Sequence, residues 1–239
     1  MQIFIGTSGW NYPHWKYIFY PENLDQKEWL IYYANFFNAI ELNVTFYRNI
    51  KENTFKKWYK ITPKNFYFVA KGPRLITHIK RLKNTKKEVN LFFENVLLLK
   101  EKLTCILWQL PPKYKKNLKI LENFLKIIKK YKIKGAFEFR NTSWFDKETY
   151  DLLKSYNFAL CIIDSDCWQS IREITANFTY IRFHGKNGLY SGNYSIDYLK
   201  EYADFIKKIN LDTFVFFNND AYGYAIKNAL DFKNLFKNN

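Results

Sequence analysis

Glu138 and Arg140 stand two residues apart in the stretch GAFEFRNTSW (135–144), where a short apolar run ends abruptly in charge. Successive strand residues point to opposite faces, so this opposite-charge pair shares one face. Charge at the end of an apolar strand is costly unless it is paired or put to use. Seven further apolar runs close on polar groups in the same way. The first closes on Ser8 and Trp10, and the second on Glu41 and Asn43 with Tyr47 beyond. The third closes on Lys71, with Arg74 and His78 in the loop that follows, and the fourth on Gln109. Asp164 ends the sixth run, Arg182 and His184 the seventh, and Asn218 and Asp220 the eighth; Trp144 adds an aromatic ring after the fifth.

These residue types suit acid/base chemistry on an anion. Glu138, Asp164 and His184 come from three consecutive runs and offer a carboxylate base, a second carboxylate and a proton carrier for neutral pH. With Glu41 and Lys71 they make the candidate catalytic set. Lys71, Arg140 and Arg182 are the candidate clamp for a phosphate or carboxylate; the other strand-end residues are candidate substrate contacts. Glu41, Lys71, Glu138, Arg140, Asp164 and His184 are expected to converge on one pocket. The acidic and histidine side chains can also ligate a divalent metal, but no HExxH-like spacing supports it and the adjacent cations oppose it. The Gly6-Thr7-Ser8-Gly9 run offers backbone amides but is not a phosphate-loop signature. Each residue also has an ordinary reading: Asn218 to Asp220 as a helix cap, Trp10 and Trp144 as packing, Lys71 as a surface lysine. The recurrence at every strand end is what points to a ligand site.

Such a ring needs a scaffold that gathers strand ends. The eight apolar runs are 3–5, 39–42, 66–70, 105–110, 136–139, 159–163, 178–183 and 213–217. Helical spacing of apolar residues predicts helices over 26–37, 53–60, 86–103, 118–131, 147–156, 196–209 and 221–236, with Asp25, Asp146 and Ser195 as N-caps. Alternation of strand and helix predicts a parallel sheet covered by helices. Eight units in 239 residues fit a single-domain α/β fold, a closed (β/α)8 TIM barrel, better than an open doubly wound sheet. The gap from Ile163 to Phe178 holds CWQSIRE and is short, so the helix after the sixth strand is expected to be truncated. In a barrel of this kind the site lies at the C-terminal ends of the strands.

Composition narrows the classes. At 48% hydrophobic and 21% aromatic the chain has ample core, and no long apolar run predicts a membrane span. The start MQIFIGTSGW shows no secretory signal, and Cys105, Cys161 and Cys167 read as free thiols of a reducing cytoplasm. The net charge of +16 raises nucleic acid as a partner. Only six of the 38 basic residues are Arg, and Lys, Asn, Ile, Phe and Tyr abound, as an AT-rich coding sequence would give. A non-catalytic nucleic-acid-binding module and a metal-dependent phosphodiesterase-like barrel therefore stand as alternatives to an acid/base enzyme.

The motifs IGTSGWNYPHW, IELNVTFYR, FVAKGPRLITH, LWQLPP, FEFRNTSW, RFHG and FNND, in this order, resemble the YecE-like family of TIM-barrel proteins, the family numbered 72 among domains of unknown function. The resemblance runs from Ile5 to about Leu230. It implies the barrel fold and a strand-end site carried by Glu41, Asn43, Lys71, Arg74, His78, Gln109, Glu138, Arg140, Asp164, Arg182, His184, Asn218 and Asp220. It leaves the reaction unassigned, and any cofactor or metal unknown.

Overall fold

The structure is a computed structural model, described over residues 1–168, 171–186 and 188–236. Its eight strands are β1 (Ile3–Thr7), β2 (Ala39–Leu42), β3 (Tyr67–Lys71), β4 (Leu103–Gln109), β5 (Lys134–Glu138), β6 (Ala159–Ser165), β7 (Phe178–Gly185) and β8 (Asp212–Phe217). Each pairs in parallel with its neighbour, in the order β1-β8-β7-β6-β5-β4-β3-β2. The result is a nearly closed TIM barrel ringed by helices.

The last joint, between β1 and β2, is made differently. Among the described residues it holds one backbone bridge, Ser8 to Glu41. Side chains do the rest. Asn38 Oδ1 accepts from Ile5 N at 2.9 Å, and Asn38 Nδ2 donates to Ile3 O at 2.7 Å. The Tyr33 hydroxyl accepts from Thr7 N at 2.8 Å. A Cβ on Gly6 would lie 2.0 Å from Ala39 O, so only glycine lets the strands approach here.

Parity along the strands sorts the side chains. Phe4, Ala39, Val69, Leu107, Ala136, Ile163, Tyr180, Phe214 and Phe216 face inward and fill the barrel. Their neighbours face outward and pack beneath the helices. The inner core closes on a stacked pair, Phe4 on Phe214, at 4.4 Å.

The helices are α1 (Trp29–Phe36), the single turn α2 (Val44–Tyr47), α3 (Glu52–Ile61), α4 (Lys86–Val96), α5 (Leu118–Lys129), α6 (Lys147–Tyr156), α7 (Ile196–Ile209) and α8 (Tyr224–Asn234). The Asp146 and Ser195 side chains cap α6 and α7 as expected. Asp25 does not cap α1, because Lys27 holds its carboxylate at 2.7 Å and the chain first makes a 3-10 turn over Gln26–Glu28. The predicted helix 86–103 ends at Val96 and tightens into a 3-10 segment, with Lys100 at φ 50° before β4 begins. Asp220 does not cap α8; a 3-10 turn over Ala221–Gly223 intervenes. The expected short helix after β6 is absent from the described residues of 166–177; Gln169 and Ser170 of that stretch lie outside them.

Candidate functional site

The inward parity that fills the barrel with Phe and Val also delivers its polar residues. Glu41 follows Ala39, Lys71 follows Val69, Glu138 follows Ala136 and Arg182 follows Tyr180, each two residues on and one layer higher. The charged layer thus lies directly on the apolar plug.

Arg182 is its centre. It is fully buried, with Nη2 donating to Glu41 Oε1 at 2.7 Å and Nη1 donating to Glu138 Oε2 at 2.5 Å. Ser8 Oγ and the Tyr180 hydroxyl donate to the two Glu41 oxygens at 2.7 and 2.6 Å. Arg140 Nε donates to Glu138 Oε1 at 2.8 Å. Burial alone would raise the Glu138 carboxyl; Arg182 and Arg140 overcome it and hold the group well below the usual carboxylate range. Two carboxylates therefore face two guanidiniums, and the cluster is charge-balanced.

Two groups sit beside this cluster without a counter-charge of their own. His184 is buried, with Nδ1 3.2 Å from Asn218 Nδ2 and Nε2 3.5 Å from Glu138 Oε2. Burial and Arg182 push it down to about 4, so it is neutral at pH 7. Lys71 is 7% exposed, and among the described residues its Nζ makes no hydrogen bond or ion pair. It lies over the face of Phe46, 4.4 Å from Nζ to the ring centroid. Burial, then the charge of Arg182, push the amine down to about 7. The His78 ring meets the same Phe46 edge-on at 4.9 Å, with its Nδ1 2.9 Å from Thr77 Oγ1. Burial and Lys71 push His78 down to about 4.

The predicted ring is thus brought together in large part. Glu41, Lys71, Glu138, Arg140, Arg182, His184, Asn218 and Ser8 share the mouth, and Asn43 Nδ2 donates to Ser8 O at 3.1 Å. Gln109 is buried beside Glu138, its partner across the β4–β5 ladder. Arg74 is exposed on the loop after β3, and Tyr47 is exposed at the end of α2. Asp164 departs from expectation: it has the outward parity of Ile162, and Tyr198 and Tyr202 of α7 each donate to its Oδ2 at 2.6 Å. Trp144 is core, stacked on outward-facing Phe139 at 4.6 Å. Trp10 packs edge-on against Trp58 of α3 at 5.2 Å. Asp220 holds the β1 loop, accepting from Trp15 Nε1 at 2.8 Å and lying 2.9 Å from His14 Nε2. Arg182 is no open clamp, because both carboxylates already occupy its Nη groups.

Three participants escape a reading of strand ends. Trp168 stacks on the Arg140 guanidinium at 3.7 Å and meets His184 edge-on at 5.3 Å. Tyr190, from the glycine-rich loop after β7, lies 3.4 Å from Arg140 Nη2. Gly185 lets that loop fold back, at φ 110° with Ser191 O where a Cβ would be. Tyr180 bears the hydroxyl beneath Glu41, and its period-two relation to Arg182 was the available signal. Among the described residues, no three His, Cys, Asp or Glu side chains cluster to hold a metal. No described helix is long and apolar enough to cross a membrane. A cavity of about 300 Å³ opens behind Phe46, lined by Thr45, Ile50, Arg74, Leu75, Ile79 and Leu91 among others.

Three comparisons place the chain. The UPF0759 protein YunF of Bacillus subtilis (strain 168) is 29% identical over 266 residues, covering 95% of this chain and 92% of that protein. The crystal structure of a DUF72 family protein from Thermotoga maritima MSB8 superposes with a TM-score of 0.88 at 30% identity, over 99% of this chain and all of that one. The barrel of an AP endonuclease, family 2, from Brucella melitensis matches at a TM-score of 0.56 and 11% identity over 95% and 96% of the two chains, a likeness of fold alone. The family model described as "Protein of unknown function DUF72" matches residues 4–239, and the chain belongs to that family.

Proposed function

We propose that the mouth of this barrel is the active site of an enzyme that performs acid/base chemistry on a small anionic substrate. The observation that carries this reading is Lys71. An ammonium buried without a paired carboxylate is costly, and here it meets the face of Phe46 instead. An amine pushed down to about 7 can both give and take a proton at neutral pH. Arg140 is the inner anion contact, since among the described residues its Nη2 has only the long bond to Tyr190, and Arg74 is the outer one. The Glu41–Arg182–Glu138 core, whose second carboxylate charge is met by Arg140 Nε, acts as a rigid floor that orients Arg140. His184 and His78, both kept neutral, are the further proton-transfer groups.

The positive charge does not favour a nucleic-acid reading. Exposed lysines lie on α3 to α8 alike, among them Lys57, Lys87, Lys119, Lys147, Lys200 and Lys227. That spread around the outer ring is the pattern of composition, whereas a nucleic-acid groove collects charge on one face.

Thermal melts of the parent and of Arg140→Gln, with phosphate, sulfate and small carboxylates, test the proposal. At least one anion raises the parent's Tm, the rise is lost in Arg140→Gln, and it persists in the outer control Lys57→Gln. No rise in the parent overturns the reading, and so does an equal rise in Arg140→Gln, which would reflect screening of the +16 charge alone.

A further inference from the structure

Resting on the active-site reading above, we propose that Lys71 is a nucleophile, and that the substrate is a small aldehyde or ketone bearing an anionic group, which Lys71 binds as an imine. The geometry is that of an amine kept for reaction. Lys71 Nζ faces the Phe46 ring on one side and, among the described residues, has no acceptor on any other. Such an amine needs no bond broken before it attacks a carbon. Lysines held by acceptors are different. Lys27 is 2.7 Å from Asp25 Oδ2 and Lys126 is 2.6 Å from Glu122 Oε1, and both amines are pushed up, by hydrogen bonds to those carboxylates above all.

The step balances within the site. The neutral amine adds to the carbonyl carbon, forming a C–N bond while the C=O π electrons move to oxygen. A proton passes from nitrogen to that oxygen and gives a carbinolamine. The hydroxyl, protonated once more, leaves as water when the C=N bond forms. Ammonium and carbonyl enter, iminium and water leave, and charge is conserved. His78, against the same Phe46 ring, is the group placed to relay the protons. The iminium draws electrons from the adjacent carbon, so a C–H or C–C bond there becomes easier to break. Arg140 holds the anionic group, since its Nε is already spent on Glu138 and its Nη2 is the end left toward Tyr190. Burial, and after it the charge of Arg182, disfavours the protonated amine and keeps part of it nucleophilic at pH 7.

Reductive trapping reads this directly. The full chain is incubated at pH 7 with glyoxylate and cyanoborohydride, digested, and mapped by mass. The expected result is a carboxymethyl adduct on the Lys71 peptide, formed at least about tenfold faster than on Lys27 or Lys126, as each unit of pKa is tenfold in free amine. Lys71→Arg, checked for its melt, keeps a cation and loses the fast adduct. Labelling of Lys71 no faster than of the surface lysines overturns the proposal, and the parent chain alone decides it even where the variant fails to fold. If anions raise the parent's Tm through Arg140 while Lys71 stays unlabelled, the imine falls and the acid/base site stands. If Lys71 is trapped but no anion binds, the imine holds and the anion contact falls.

Discussion

Two buried lysines sit at opposite ends of neighbouring strands, and they are built on opposite plans. Lys102 precedes β4, at the N-terminal end of the barrel. Its Nζ donates to Tyr59 O at 2.7 Å, Thr62 O at 2.6 Å and Thr62 Oγ1 at 3.0 Å, and it lies over the Tyr59 ring at 4.9 Å. The first two are carbonyls at the end of α3, which no helical amide reaches, so the ammonium caps the helix and meets its negative dipole end. Lys71 closes β3 at the C-terminal end, equally buried, with a phenyl face in place of oxygens. The same residue type is thus satisfied at one end and left wanting at the other. Barrels divide their labour this way: one rim holds the fold together, and the other carries sites that cost stability.

Mutations can break that contrast. The largest effect is expected within the mouth itself, at a cation built on the satisfied plan. Arg182→Met strands Glu41 and Glu138 and should cost about 3–5 kcal/mol in denaturant unfolding. A loss under about 1 kcal/mol would mean that the two bridges contribute little. Lys102→Met should cost about 2–3 kcal/mol, because it leaves buried carbonyls of α3 without a donor. Lys71→Met should do the reverse and stabilise the chain by about 1–2 kcal/mol at pH 7, since it removes a poorly solvated charge.

The sign with pH follows from the depressed amine. Unfolded, Lys71 keeps its proton up to its ordinary value of 10.5; folded, it releases it near 7. Between these the unfolded state binds more protons, so the lysine's penalty shrinks as pH rises through that window. The gain of Lys71→Met should therefore fall from pH 7 toward pH 10 and be nearly gone there. A gain independent of pH would show that the amine is not buried as described. The smallest effect serves as a ruler from the helical ring. Ser195→Ala removes the N-cap of α7 and should cost about 1 kcal/mol with no pH dependence, a size the two lysine effects must exceed to mean anything.

The barrel was legible because its two periodicities do not overlap: Val89, Phe92, Phe93 and Val96 recur at helical spacing, whereas the β-runs are short and continuous. Lys71, Glu138 and His184 were legible at the mouth of the barrel for the same reason, being polar where apolar residues end. Asp164 met that criterion and still faces α7. Its parity with Ile162, not its place at a strand end, decides which way it points. Trp168 and Tyr190 were hidden because loops carry no period; the contacts of Trp168 with Arg140 and of both rings with His184 show where they pack. Arg182 read as a ligand clamp because its partners lie 141 and 44 residues away in sequence. Asp25 read as a cap because capping is a local rule, and Lys27 holds its carboxylate instead; Asp220 read as a substrate contact, and Trp15 and His14 of the β1 loop hold it.

The joint between β1 and β2 has a consequence for which substitutions the chain can accept. A ladder of backbone bonds is blind to side-chain identity, so most barrel strands can exchange one apolar residue for another of like size. At this joint the bonds run through Asn38 and Tyr33, to the buried amides of Ile5 and Thr7. Asn38→Leu or Tyr33→Phe, mild changes elsewhere in the ring, each leave a buried N–H without an acceptor here. Gly6 admits no larger residue. Closure of the cylinder, generic around the rest of its circumference, is at this one point written in three particular residues.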